Sequence, residues 1–283
     1  MEHTLSNEQI KSFKENGYLI IPNVLSKEQV EYLRSRILGI FSSGEWQKSP
    51  YNTERVLSDV YNTFPDFIDL TLNKKVIDIV RSLLQTTPVL MPETAIHYKF
   101  YTGWHKDTSS QEREGKTFHW NDDALLLQCG FYLQDNDELG GGLTVMQGSH
   151  KTKDNLIETD SFKLNLAERA KLKLGMYKEE EDVKLNPNKH KIVDVASKAG
   201  DFVIFDFRLN HRATKPKNIE VSNIPLNKSK IAFFNAFCVD NNTASEYLDF
   251  IKSRKEPFYQ SLKTRVPSED LSNSAKNLNF KAL

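Results

Sequence analysis

Two residues set the starting point: His105 and Asp107, in the run Trp104-His105-Lys106-Asp107. At the end of a strand, side chains at i and i+2 point to one face, so an imidazole and a carboxylate converge there. Such a pair is the beginning of a metal site and needs a third ligand from elsewhere in the chain. His211 is the best candidate. It follows the apolar run 200–207, which reads as a buried strand delivering a histidine at its mouth. Two histidines and one carboxylate on one face leave adjacent coordination positions open, the set that suits non-haem Fe(II) chemistry with oxygen. Zinc favours a closed tetrahedron or a single open water position. Taken alone, His-x-Asp is a common chance pattern, and its bland reading is a turn with a polar cap.

These residues need strands to hold them, and the sequence supplies candidates. After Pro88, short apolar runs alternate with turn signals over 94–101, 124–133, 142–146, 191–195, 201–207 and 230–237. Several short strands with Gly, Asn and Asp between them predict a sandwich or barrel. Residues 1–90 read instead as mainly helical. Ser6 with Gln9, and Ser26 with Gln29, fit the capping box. The first helix should stop near Asn16-Gly17, and the apolar segment 18–21 is closed by Pro22. Val30, Leu33, Ile37 and Ile40 make a stripe at helical spacing, and a further helix starts after Asn73 with Val76, Val80, Leu83 and Leu84 inward. Residues 152–190 form a charged, partly helical insertion whose run 179–182 reads as a solvated face. The tail 241–283 is helical at first, then polar. No repeat or linker divides the chain, so residues 1–283 are expected to form one domain.

Composition bounds the function. Lys+Arg and Asp+Glu both number 38 in 283 residues. A net charge of zero argues against a dedicated binder of nucleic acid or anionic membrane. No apolar stretch approaches the roughly 18 residues of a membrane span, and the N-terminus has no signal-peptide pattern. Two cysteines, Cys129 and Cys238, make no disulfide framework and read as small buried apolar residues in a reducing compartment. A cytoplasmic location is the expectation. No nucleophile elbow, phosphate-binding glycine loop or paired zinc cysteines are found. Of the other histidines, His150 and His97 read as structural or supporting. His119-Trp120 lies in the segment 111–123, expected with 215–227 at the mouth of a pocket. His3 and His190 read as surface residues.

Four stretches, in order, resemble the phytanoyl-CoA dioxygenase family of Fe(II)/2-oxoglutarate oxygenases. The opening Phe13-Lys14-Glu15-Asn16-Gly17-Tyr18-Leu19-Ile20-Ile21-Pro22 with its following helix is similar to that family's start. Trp104-His105-Lys106-Asp107 resembles its iron motif. The run from Gly140-Gly141-Gly142 to Gly148-Ser149-His150-Lys151 is similar to its glycine-to-GSHK hairpin, and 200–211 to the strand that ends in the distal histidine. The resemblance implies a mainly β fold, a double-stranded β-helix (jelly roll, cupin-like) with N-terminal helices packed on it. It implies Fe(II) held by His105, Asp107 and His211, with 2-oxoglutarate and O2 as co-substrates. The expected reaction hydroxylates a C–H bond of a small molecule and releases succinate and CO2. Related halogenases leave a gap where Asp107 stands, so hydroxylation is the expectation.

One departure stands out. The family places an arginine for the far carboxylate of 2-oxoglutarate about eleven positions after the distal histidine, and here that place is Ser222. Lys228 and Lys230, at the entry to the next strand, are the candidates to replace it, with Lys230 preferred and Arg212 a further candidate. A lysine keeps the charge and loses the bidentate geometry. Two other readings stay open: a non-catalytic jelly roll that binds a small molecule, and a metal enzyme of the same fold that uses no 2-oxoacid.

Overall fold

The computed structural model describes residues 4–153, 166–175, 182 and 189–283. Two sheets make its centre. The large sheet joins β1 (Tyr18–Ile21), β2 (Val56–Ser58), β3 (Val89–Leu90), β4 (Ala95–Tyr98), β5 (Leu126–Tyr132), β8 (Phe202–Asp206), β10 (Ile231–Cys238) and β11 (Lys281–Ala282). The small sheet runs β7 (Ile192–Asp194), β6 (Leu143–Met146), β9 (His211–Ala213). The main path of the large sheet is β1-β8-β5-β10-β3-β11, with β4 also pairing with β10 and with β2. All pairings are antiparallel except β11 with β3.

Strand parity decides what lies between the sheets. On β10, Ala232 and Phe234 join Tyr132, Val203 and Phe205 of the large sheet and Leu143 and Val145 of the small one in an inner apolar cluster. Ile231, Phe233 and Phe237 point the other way, into a larger cluster shared with the helices. That larger cluster runs from Phe13 to Phe280.

The helical cover forms as its sequence dictates. Both capping boxes are present, on Asn7–Asn16 and Lys27–Ser43, and Asn73 caps Lys74–Leu84. Gly17 ends the first helix at φ +84, and a side chain there would strike the His150 ring. Leu33, Ile37 and Ile40 are fully buried. Among the described residues more lie in helices than in strands, yet the strands hold the centre and the helices enclose it. The short strands β2, β3, β9 and β11 are additions to the expected set; two or three residues carry no readable periodicity. Of the acidic run 179–182, residues 179–181 lie outside the described residues. Asp182 does not fit a solvated face: it is buried, accepting from Trp104 Nε1 at 2.9 Å and pairing with Arg212 at 3.1 Å.

Candidate active site

The backbone brings the three expected ligands together before any side chain is considered. His105 and His211 form an isolated antiparallel bridge, each N–H donating to the other's carbonyl at 2.9 Å. The Asp107 N–H donates to Phe207 O at 2.9 Å, so the His-x-Asp turn is tied to the end of β8. The stretch leading to His211 is held in turn by the glycine hairpin. Ser149 Oγ accepts the Asn210 N–H at 2.8 Å, and Asn210 O accepts from Met146 N. His150 donates from its ring to Lys14 O at 3.1 Å, the structural role expected of it.

The imidazoles are aimed. His105 Nδ1 lies 2.8 Å from Gly103 O, and His211 Nδ1 lies 3.0 Å from Leu209 O. A carbonyl only accepts, so each Nδ1 carries the proton and each Nε2 presents a lone pair, the tautomer a metal-binding histidine needs. His105 Nε2 and His211 Nε2 lie 3.8 and 3.9 Å from Asp107 Oδ1. The three ligand atoms all fall within 4.8 Å of one another. Bonds of about 2.1 Å allow two ligand atoms up to about 4.2 Å apart around one ion, so both measured histidine–aspartate separations fit.

Electrostatics fit as well. Burial, with Glu93 and Asp206 nearby, pushes the Asp107 carboxyl up to about 8. Burial holds His105 below its usual value and His211 well below. Asp107 Oδ2 is buried without a hydrogen-bond partner among the described residues. A hole lined by two neutral imidazoles and an orphaned carboxyl oxygen suits a divalent cation, which favours the carboxylate and needs neutral histidines.

Two cavities meet at this triad. The inner one lies between the sheets and is lined by Thr102, Gln128, Tyr132, Phe205 and Lys230 beside the three ligands. The outer one, about 450 Å³, opens from His105 and Asp107 toward the C-terminal helices. His97 and Gln128 line both. Burial pushes the His97 imidazole down to about 3, with the Lys230 charge adding to the effect, so it stands there as a neutral ring.

The three candidate cations separate cleanly. Lys230 shares the parity of Ala232 and Phe234, points between the sheets and is 3% exposed. Its Nζ donates to Phe100 O at 2.6 Å and lies 5.2 Å from the centre of the Tyr101 ring. Gly141, at φ +88, passes its side chain so closely that a Cβ would lie 3.1 Å from Lys230 Cβ. Among the described residues no carboxylate reaches ion-pair distance of Lys230, and burial pushes its ammonium down to about 7. Lys228 is exposed on the turn Leu226–Lys228, because β10 begins only at Ile231 and strand parity does not extend back to it. Arg212 follows His211 on β9 and borders the inner cavity, but its guanidinium is engaged by other groups. It pairs with Asp182, and its guanidinium stacks 4.7 Å from the Trp104 ring centre.

The two segments expected at the mouth differ. Gln111 and Arg113 line the outer cavity; within 111–123, Gln111 is buried and His119 is fully buried near Glu112, while 113–117 and 121–123 are exposed. Ser222 is exposed and borders a separate surface cavity near Tyr101. Tyr132, Thr102, Gln128 and Glu93 lay outside the expected site; the even parity of Gln128, Gly130 and Tyr132 on β5 is the one signal that could have pointed inward.

A family profile described as phytanoyl-CoA dioxygenase (PhyH) matches residues 13–218. An ectoine dioxygenase of Nocardia farcinica is 24% identical over 229 residues, 72% of this chain and 71% of that one. A probable alpha-ketoglutarate-dependent hypophosphite dioxygenase of Stutzerimonas stutzeri is 28% identical over 175 residues, 55% of this chain and 58% of that one. Among solved structures, EctD from S. alaskensis with 2-oxoglutarate and 5-hydroxyectoine superposes with a TM-score of 0.59 at 19% identity, covering 83% of this chain and 76% of that one. HygX from Streptomyces hygroscopicus, with nickel and 2-oxoglutarate bound, gives 0.57 at 20% identity, covering 84% and 88%. These structures share the cupin-like double-stranded β-helix. With the profile spanning most of its length, the chain belongs to the phytanoyl-CoA dioxygenase family of Fe(II)- and 2-oxoglutarate-dependent oxygenases.

Proposed function

We propose that His105, Asp107 and His211 hold Fe(II), that Lys230 pairs with the far carboxylate of 2-oxoglutarate, and that the enzyme hydroxylates a C–H bond of a small molecule in the outer cavity. When bound, the iron supplies O2 activation coupled to decarboxylation of 2-oxoglutarate to succinate and CO2. The observation that carries the reading is the pairing of two incomplete sites in one space: a ligand triad with both Nε2 atoms aimed inward, and a buried ammonium without a counter-ion among the described residues.

The chain's own residues have separable tasks. The Gly103 and Leu209 carbonyls fix the imidazole tautomers and planes. Lys230 offers its charge where burial would otherwise make a carboxylate costly. Tyr132, Phe205 and Phe234 wall the inner chamber against water, which strengthens that ion pair. Reduced, buried Cys129 and Cys238 support a cytoplasmic setting. The test is metal content and succinate formation by the purified protein. One Fe(II) per chain and iron-dependent succinate release are expected, both lost in His105→Ala. Turnover of a substrate without 2-oxoglutarate would reject the co-substrate assignment, and iron held normally by the alanine variant would reject the ligand set.

A further inference from the structure

The outer cavity carries a carboxylate that the reaction just described leaves unused. Glu93 lies in the turn between β3 and β4 and shares the cavity with His105 and Asp107. The Tyr247 hydroxyl donates to its carboxylate, and the Tyr259 hydroxyl stands beside it as a second donor. Phe207, Phe250 and Phe258 complete an aromatic wall. Among the described residues no lysine or arginine reaches ion-pair distance of Glu93. Arg254, also at the cavity, acts on Glu93 only at longer range: it is engaged by Glu256 at 2.8 Å and lies 4.0 Å from the centre of the Tyr259 ring.

From this arrangement we infer that the substrate carries a cationic nitrogen, an ammonium or amidinium, which binds against Glu93 and the Tyr247, Tyr259 and Phe258 rings while its reacting carbon faces the His105–Asp107 end. A carboxylate set in an aromatic enclosure without a counter-ion is costly to keep charged. A cation entering the same space gains a charge-assisted hydrogen bond and the negative faces of the rings together. The cavity, about 450 Å³, has the size of a small-molecule site. Tyr247 holds a Glu93 oxygen by donation, with the Tyr259 hydroxyl beside it, so the carboxylate is oriented within the cavity. The inference rests on the reading of His105, Asp107 and His211 as the reaction centre.

Three probes of one shape test it: benzamidine, benzamide and benzoate, titrated into the full chain loaded with Ni(II) and 2-oxoglutarate. Benzamidine is expected to bind about tenfold or more tightly than benzamide, the scale of one charge-assisted bond, and benzoate more weakly still. Glu93→Gln should erase the benzamidine advantage while leaving benzamide where it was. Benzamide or benzoate binding as tightly as benzamidine would overturn the inference, as would no benzamidine binding into the millimolar range. If Glu93→Gln does not fold, the wild-type ranking of the three probes decides alone. Succinate formation, measured separately, keeps the two readings apart. A chain that turns over 2-oxoglutarate but ranks benzoate first loses only the cation assignment, and one that prefers benzamidine but makes no succinate loses only the oxygenase assignment.

Discussion

The helical cover and the cavity between the sheets obey opposite rules. In the cover, each exposed backbone donor at the starts of helices Asn7–Asn16 and Lys27–Ser43 that a box can reach is capped, and Leu33, Ile37 and Ile40 sit in a close apolar contact layer. In the cavity, among the described residues, Asp107 Oδ2 has no hydrogen-bond partner, His97 is held neutral by burial, and Lys230 is a buried cation with no carboxylate at ion-pair distance. A chain folded for stability alone would place apolar groups at those positions, since an unpaired buried charge costs several kcal/mol. The contrast teaches where stability ends and function begins: local rules are broken where a ligand is meant to complete them.

Replacing Lys230 by Met sharpens that contrast most. Losing one partner of a buried ion pair costs about 2–5 kcal/mol, so the apparent 2-oxoglutarate affinity should fall by more than about thirtyfold. The ligand-free protein should melt no lower, because the variant removes a desolvated ammonium from an apolar wall. Titration of succinate formation against 2-oxoglutarate, with a melting curve on the ligand-free variant, measures both. A large loss of stability with unchanged affinity would make Lys230 part of the scaffold.

The proposed metal triad was legible from two signals together, strand periodicity and the family resemblance. His105 and Asp107 share parity, and an apolar run leads to His211. Lys230 stands out in the sequence because Ser222 occupies the place of the family's arginine and Lys230 adjoins the next apolar run; its burial follows from lying in step with Ala232 and Phe234. Lys228 failed the same argument because the turn Leu226–Lys228 breaks the two-residue repeat before β10 starts. The Glu93 enclosure was not legible. Its hydrogen bond to Tyr247 spans 154 residues, and nothing local in either segment announces it. Asp182 was hidden by its neighbours, since an acidic run reads as solvated whichever member is buried. In the cover the capped helices Asn7–Asn16, Lys27–Ser43 and Lys74–Leu84 were legible, since caps and apolar stripes are local signals, whereas Val60–Thr63, Ile68–Thr71 and Glu269–Leu278 were not.

A titration gives the next effect in size. Burial sets the Lys230 ammonium at about 7 in the ligand-free protein. Binding a carboxylate favours the protonated form, so its pKa rises in the complex and binding takes up a proton above neutrality. The sign follows: 2-oxoglutarate affinity is flat below about pH 7 and weakens above it, by about tenfold per pH unit, until the pKa of the complex is reached. Lys230→Arg should bind without that slope, because a guanidinium keeps its proton throughout the range. A wild-type affinity constant from pH 6 to 9 would refute the link between Lys230 and the co-substrate.

The smallest expected effect tests whether cover and cavity are as separate as they look. Ser26 caps Lys27–Ser43 by accepting the Gln29 N–H, while Gln29 accepts the Ser26 N–H in return. Ser26→Ala removes one half of this box and should cost about 1 kcal/mol, a fall of about 2 °C in Tm for a domain of this size. The cap lies close to the route toward the active site. Val24 N and Leu25 N both donate to Gly200 O, and Asn23 N donates to Asp201 Oδ1, at the entry to the strand that leads to His211. If the helix start merely rests on β8, kcat and the apparent 2-oxoglutarate affinity of Ser26→Ala should equal those of the parent at temperatures well below Tm. A change in either, with Tm shifted only as expected, would mean that strain at the cap reaches the histidine through Gly200, and the division drawn between cover and cavity would have to move inward to β8.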